Sequence, residues 1–112
     1  MNIPKVGRPA RGSSTGRPIM VVLDVLGRRG ALRVLWELRD GPLTFRALQE
    51  ACETNPGSLN ARLKDLRELG IVNHEDGGYR LSESGRGLME TLNNLQTWSE
   101  RWATASGHNA RS

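Results

Sequence analysis

Cysteine is almost missing from this chain. Cys52 stands alone, so no internal disulfide can form, and a reducing compartment is the setting that suits it. One thiol and two scattered histidines, His74 and His108, do not give the ligand spacing of a metal site. No apolar run approaches the roughly 20 residues that a bilayer-spanning helix needs. The first residues hold no apolar signal core, so the cytoplasm is the expected location. Aromatic residues are few: three Trp, one Tyr and one Phe. The Trp residues lie outside the stretch of greatest interest below, which argues against a platform for stacking unpaired bases. No grouping of nucleophile, base and acid stands out. The chain is therefore expected to be no enzyme, with no catalytic residues, cofactor or metal.

Acidic residues are absent from the first 18 positions, which hold Lys5, Arg8, Arg11 and Arg17. All 12 acidic residues come later and match the remaining 12 basic ones, so the net charge of +4 resides in this arm. An uncompensated basic arm attracts a polyanion, nucleic acid above all, though a solubilising tail has the same composition. Residues 1–17 are rich in Gly, Pro, Ser and Arg and read as a disordered arm. Gly-Arg-Pro occurs twice, at Gly7-Arg8-Pro9 and Gly16-Arg17-Pro18. It resembles the centre of the AT-hook, in which Arg enters a narrow A·T minor groove. Nonspecific phosphate contact by the same arginines is the plainer alternative.

The 112 residues allow one domain, expected over 18–105 with a flexible tail at 106–112. Its most informative stretch is Asn55 to Ser82. Asn55 is a good N-cap, Pro56 suits the first helical position, and Gly70 suits a C-terminal stop. Leu59, Leu63, Leu66 and Leu69 form one apolar face. The other face offers Gly57, Ser58, Asn60, Ala61 and Lys64, small or hydrogen-bonding groups that fit a DNA groove. Asp76-Gly77-Gly78 then predicts a tight hairpin between Ile71-Val72 and Tyr79–Leu81.

Upstream, Ile19 to Leu26 is apolar on nearly every side and broken only by Asp24. Such a helix needs cover on more than one face, and a second subunit is the expected source. Asp24 reads as an interface partner for an arginine, with ligand sensing as the alternative. Gly27-Arg28-Arg29-Gly30 reads as a turn with both arginines solvated. A second helix follows through Leu38, stopped by Gly41-Pro42. Thr44 caps a third, with Phe45, Leu48, Ala51 and Cys52 facing inward; Cys52 reads as an inert apolar group rather than a redox centre. Only Glu53 to Asn55 join the third helix to the fourth, which is the helix-turn-helix spacing. The last helix should run from about Ser82 to Thr104, near 30 Å at the usual rise. Leu88, Leu92, Leu95 and Trp102 stripe it, with Met89 and Trp98 alongside. It either folds back on its own core or pairs with a second chain. Pairing would use Ile19, Met20, Leu23, Leu92, Leu95, Trp98 and Trp102.

The span from Leu23 to Trp102 resembles the HxlR-type winged helix-turn-helix regulators, relatives of the MarR group. The resemblance is carried by Asp24 with Gly27, Glu37-Leu38, Asp40-Gly41-Pro42, and Phe45 with Leu48. It continues through Leu59-Asn60-Ala61-Arg62-Leu63, Leu66, Leu69-Gly70-Ile71-Val72, Tyr79-Arg80-Leu81-Ser82 and Gly85-Arg86. The family often has a Cys just before the Pro of its first helix, used to sense oxidants or electrophiles. Arg17 stands there, so the resemblance does not carry that switch over. Gly30 replaces the usual Trp after the first turn, and the wing is short. The resemblance implies a cytoplasmic homodimer, nucleoid-associated when bound to a near-palindromic operator.

The expected fold is mainly α with a small β-wing (α+β), a winged helix-turn-helix dimerising through its first and last helices. The expected function is sequence-specific binding of double-stranded DNA as a transcriptional regulator, a repressor. Base contacts are expected from Gly57, Ser58, Asn60 and Ala61. Phosphate or wing contacts are expected from Thr44, Arg46, Arg62, Lys64 and Arg80, although Arg62 also suits pairing with a carboxylate on the helix flank. Two alternatives stand beside it: a winged helix serving as a protein-interaction module, and an arm-led architectural DNA binder without sequence preference.

Overall fold

Residues 17–107 are described by the computed structural model. Their elements run α1 (Pro18–Leu26), α2 (Ala31–Glu37), α3 (Phe45–Cys52), α4 (Pro56–Glu68), β1 (Val72–Glu75), β2 (Gly78–Leu81) and α5 (Glu83–Ala105). The arm residues Lys5, Arg8 and Arg11, the His108 position and the tail from 108 lie outside the described residues.

Local chemistry explains most boundaries. Three helices start on side-chain caps: Thr44 accepts from the Ala47 N–H at 3.1 Å, Asn55 from Ser58 at 2.8 Å and Ser82 from Gly85 at 3.0 Å. Pro18 and Pro56 occupy first-turn positions, where a missing N–H leaves nothing unsatisfied. At the end of α4, Gly70 adopts φ 76°. Its N–H donates to the Arg67 carbonyl at 2.9 Å, and Ile71 donates to Leu66 at 3.0 Å. Those two bonds make a Schellman stop, and buried Leu66 and Ile71 supply its apolar contact.

The wing is a two-residue hairpin in which Glu75 pairs with Gly78, so Asp76 and Gly77 form the turn. Both have positive φ, 53° and 76°, as the right-handed strand twist demands of a type I′ turn. Leu43 adds a bridge that periodicity did not forecast: Leu43 and Tyr79 exchange backbone bonds at 3.0 and 2.8 Å. The wing is thereby tied to the segment that leads into α3.

Leu35, Leu38, Leu48, Leu59, Leu63 and Leu66 form the centre of the core, all at most 1% exposed. Val25, Val34, Tyr79, Leu81 and Met89 close it, so helices, wing and the start of α5 share one cluster. Truncating one of the central leucines to Ala should cost about 2–5 kcal/mol, the loss of burial plus a cavity.

Two expectations about charge are corrected. Arg28 is not solvated: its side chain is 8% exposed, whereas neighbouring Arg29 is open to water. Asp24 finds its arginine within the same chain, at 2.8 Å from Arg28 Nη2. A carboxylate one helical turn before an arginine is within easy reach, and burial rewards that pairing.

Candidate nucleic-acid interface

The short link in the helix pair is built by strain. Glu53 caps α3 at φ 53°, and its N–H donates to the Glu50 carbonyl at 3.2 Å. That left-handed residue reverses the chain within Glu53–Asn55 and delivers α4 against α2. Leu59, Leu63 and Leu66 face the core while Gly57, Ser58, Asn60 and Lys64 stay exposed; Ala61 is half-buried. The face expected to read bases is therefore exposed at Gly57, Ser58, Asn60 and Lys64 and only partly so at Ala61.

The phosphate candidates divide. Lys64 is exposed and forms no ion pair among the described residues, and Arg46 is 91% exposed with only a long 3.8 Å approach to Glu50. Thr44 is exposed beside Arg46, its oxygen engaged in the cap. Arg80 reaches across the wing to Glu75 at 3.2 Å, half-exposed, and so is held at the surface. Arg62 takes the flank position: its Nε stands 3.1 Å from Asp65 Oδ2, and its Nη1 donates to the Arg29 carbonyl at 3.3 Å. Arg17 stands as the N-cap residue of α1, its carbonyl accepting from Met20 and Val21.

Three further residues belong to this surface. Arg29 lines a cleft of about 590 Å³ together with Gly57, Ser58 and Ala61. Arg67 shares with Lys64, Asn73 and His74 an open groove between α4 and the wing. His74 is exposed and stacks on Tyr79 at 4.1 Å and 9°. Arg67 could have been found from sequence, three residues after Lys64 on one helical face. Arg29 could not, because nothing local distinguishes it from Arg28.

Cys52 is partly buried at the rim of the same cleft. Burial pushes its thiol up from the ordinary range, Glu37 adds to the shift, and Arg33 opposes it. A thiol held protonated is a poor nucleophile, which agrees with the inert reading. Arg33 itself is held above its ordinary value, chiefly by its 2.8 Å bond to Glu37.

No helix among the described residues is long and apolar enough to cross a membrane, and no group of three or more potential metal ligands occurs among them. A capped helix pair with a three-residue link, a half-exposed second helix and a hairpin beside it define a winged helix-turn-helix protein. The chain belongs to the HxlR-like helix-turn-helix family, which matches residues 25–107. It is a transcriptional regulator of the helix-turn-helix class. It is 24% identical over 91 residues to an HTH-type transcriptional regulator of Methanocaldococcus jannaschii, covering 77% of this chain and 86% of that one. Its fold is similar to quinone-bound YodB of B. subtilis, with a TM-score of 0.70 and 27% identity over 74% of this chain and 96% of the other. A MarR-family regulator from Enterococcus faecalis V583 superimposes with a TM-score of 0.74 at 24% identity, covering 80% and 88% of the two chains. These proteins are transcriptional regulators rather than enzymes.

Proposed function

We propose that this chain is a sequence-specific double-stranded DNA-binding regulator that acts in the cytoplasm as a homodimer on a near-palindromic operator. The observation that carries this reading is the outer face of α4, where Gly57, Ser58, Asn60 and Lys64 are exposed while the leucines behind them are buried. Glycine and a small residue permit close approach to base edges, Asn60 can pair bidentately with adenine, and the Ala61 methyl suits a thymine methyl. Lys64, Arg67 and Arg29 flank that strip with cations that have no ion-pair partner among the described residues, suited to phosphates on either side. Arg46 and Arg80 extend the same role to α3 and the wing. A dimer seated on its operator excludes polymerase from that DNA, so repression is the simplest output.

The test is a salt titration on a duplex selected from a random pool, compared with an unselected duplex of equal length. Groove binding requires a steep fall of affinity with salt, its slope counting phosphate contacts. Lys64→Ala should weaken both duplexes alike and reduce the slope by about one unit, whereas Asn60→Ala should relax the preference between them. A protein that selects no sequence, and whose affinity ignores salt and both substitutions, is not a sequence-reading regulator.

A further inference from the structure

Four charged side chains meet where the turn after α1 touches the flank of α4. Arg28 places Nη2 2.8 Å from Asp24 Oδ2 and Nη1 3.2 Å from Asp65 Oδ2. Arg62 approaches the same Asp65 oxygen at 3.1 Å and donates to the Arg29 carbonyl. The side chains of Asp24, Arg28 and Asp65 are 5–8% exposed and Arg62 is 23% exposed, so three of the four charges are nearly out of water and the fourth lies at the edge. The two carboxylates outweigh the burial that would lower it and hold the Arg28 guanidinium above its ordinary value.

This group is badly arranged for stability alone. Arg28 Nε, Arg62 Nε and Asp65 Oδ2 are buried without an aligned hydrogen-bond partner. The close Arg62–Asp65 approach is thus an ion pair off the hydrogen-bond axis. Desolvating two cations and two anions roughly cancels their attraction, so an apolar filling of equal volume would stabilise as well or better. What the bridge adds is direction. The leucine stripe of α4 is buried by an effect that itself has no preferred angle. The bond from Arg62 Nη1 to the Arg29 carbonyl at 3.3 Å does have a preferred angle, and the Arg28–Asp65 ion pair at 3.2 Å holds α4 beside that turn. Ser58, Arg62 and Asp65 lie on one stripe at i, i+4 and i+7, so the bridge grips the rail along which a base-reading candidate is mounted. A roll of about 20° would carry a side-chain tip roughly 6 Å from the axis through about 2 Å, beyond the half-ångström range of hydrogen-bond lengths.

We infer that the Asp24–Arg28–Asp65 bridge, closed by Arg62, is a positioning device that fixes the rotation of α4 and thereby the preference among DNA sequences. The inference rests on the sequence-specific reading above. Its test compares affinity for the selected duplex with affinity for the unselected one. In Asp24→Asn and in Arg28→Lys, which keeps the charge but cannot fork to two carboxylates, the preference should fall about tenfold or more, the loss of one good base contact. Affinity for the unselected duplex and its salt slope should stay as in the wild type. The quadruple variant Asp24→Leu, Arg28→Met, Arg62→Met, Asp65→Leu, which leaves no member of the group without its partner, should melt at or above the wild-type temperature and lose preference equally. That variant decides the matter if the single ones fail to fold. Folded variants that keep the wild-type preference overturn the positioning role. A wild type with no preference overturns the function reading instead.

Discussion

Glu53 pays for the tightness of the helix-turn-helix link. A non-glycine residue in the left-handed region carries a penalty of about 1–2 kcal/mol, and nothing in its side chain relieves it as Asn or Asp would. Glycine there would remove the strain but add unfolded-state entropy of about 0.5–1 kcal/mol. Strain is the larger of the two. Glu53→Gly should therefore stabilise the domain by up to about 1 kcal/mol, raising its melting temperature by a few degrees. A thermal melt followed by circular dichroism measures it, and a lowered midpoint would show that the Glu53 side chain makes a contribution larger than its backbone strain. Asp76, at the same φ in the wing turn, is better suited to that region and needs no such exchange. At this scale the sequence was only partly readable. The caps Thr44 and Asn55 announce themselves, because a short polar side chain three residues before a free N–H has one obvious use, while Ser82 was legible only as the approximate start of the last helix. The divergence of Arg28 and Arg29 does not. Two adjacent arginines in one turn look alike until tertiary packing brings Asp65 beside the first of them.

Among the elements, α5 is the one whose placement depends on a missing side chain. Gly85 lies in its first turn, buried against the backbone of Ile71, and a Cβ there would overlap the Ile71 carbonyl oxygen. That carbonyl already accepts from the Ser82 N–H at 2.9 Å and from the Ser82 hydroxyl at 3.1 Å, so it cannot easily retreat. Gly87, two residues on, has open space at the same point. The two glycines thus separate helix propensity from packing. Gly87→Ala should stabilise by up to about 1 kcal/mol, the ordinary preference of a helix for alanine. Gly85→Ala gains the same propensity but should destabilise by about 1–3 kcal/mol, because overpacking against fixed backbone is the larger effect. Urea unfolding of the pair checks the sign; equal gains in both would mean that α5 is not seated on Ile71. The helices, the hairpin turn and the α4 stop were legible because each has a periodic or capping signature. The Leu43–Tyr79 bridge was not, since a pairing one residue long has no period to detect.

For the molecule as a whole, shape and apolar surface point the same way. Its radius of gyration is 15.1 Å, above the roughly 13 Å of a compact chain of about 100 residues, and its longest extent is 43 Å. The longest element among the described residues is α5, whose 23 residues span about 34 Å. Met89 seats its first half in the core, but Leu95, Trp98 and Trp102 are 47–58% exposed beyond it. The two indoles stack at 6.2 Å. On α1, Ile19 and Leu23 are more than half exposed, while Met20 and Leu92 are half-buried at the margins. Monomeric proteins seldom leave so many large apolar side chains on two helices in water, and a second copy offers a matching surface. The expected solution species is thus a dimer, with α4 helices presented about one DNA turn apart, near 34–36 Å. Leu23→Glu combined with Leu95→Glu places charges on both helices without touching the core. Sedimentation equilibrium should then report a monomer in place of a dimer, and the melting temperature should fall only by what association had added, losing its dependence on protein concentration. Affinity for a duplex carrying both half-sites should fall by about 10²–10⁴-fold, since each monomer must bind without help from the other, while affinity for a single half-site should hold. If the doubly charged variant sediments as the wild type does, these two helices are not where the chains meet.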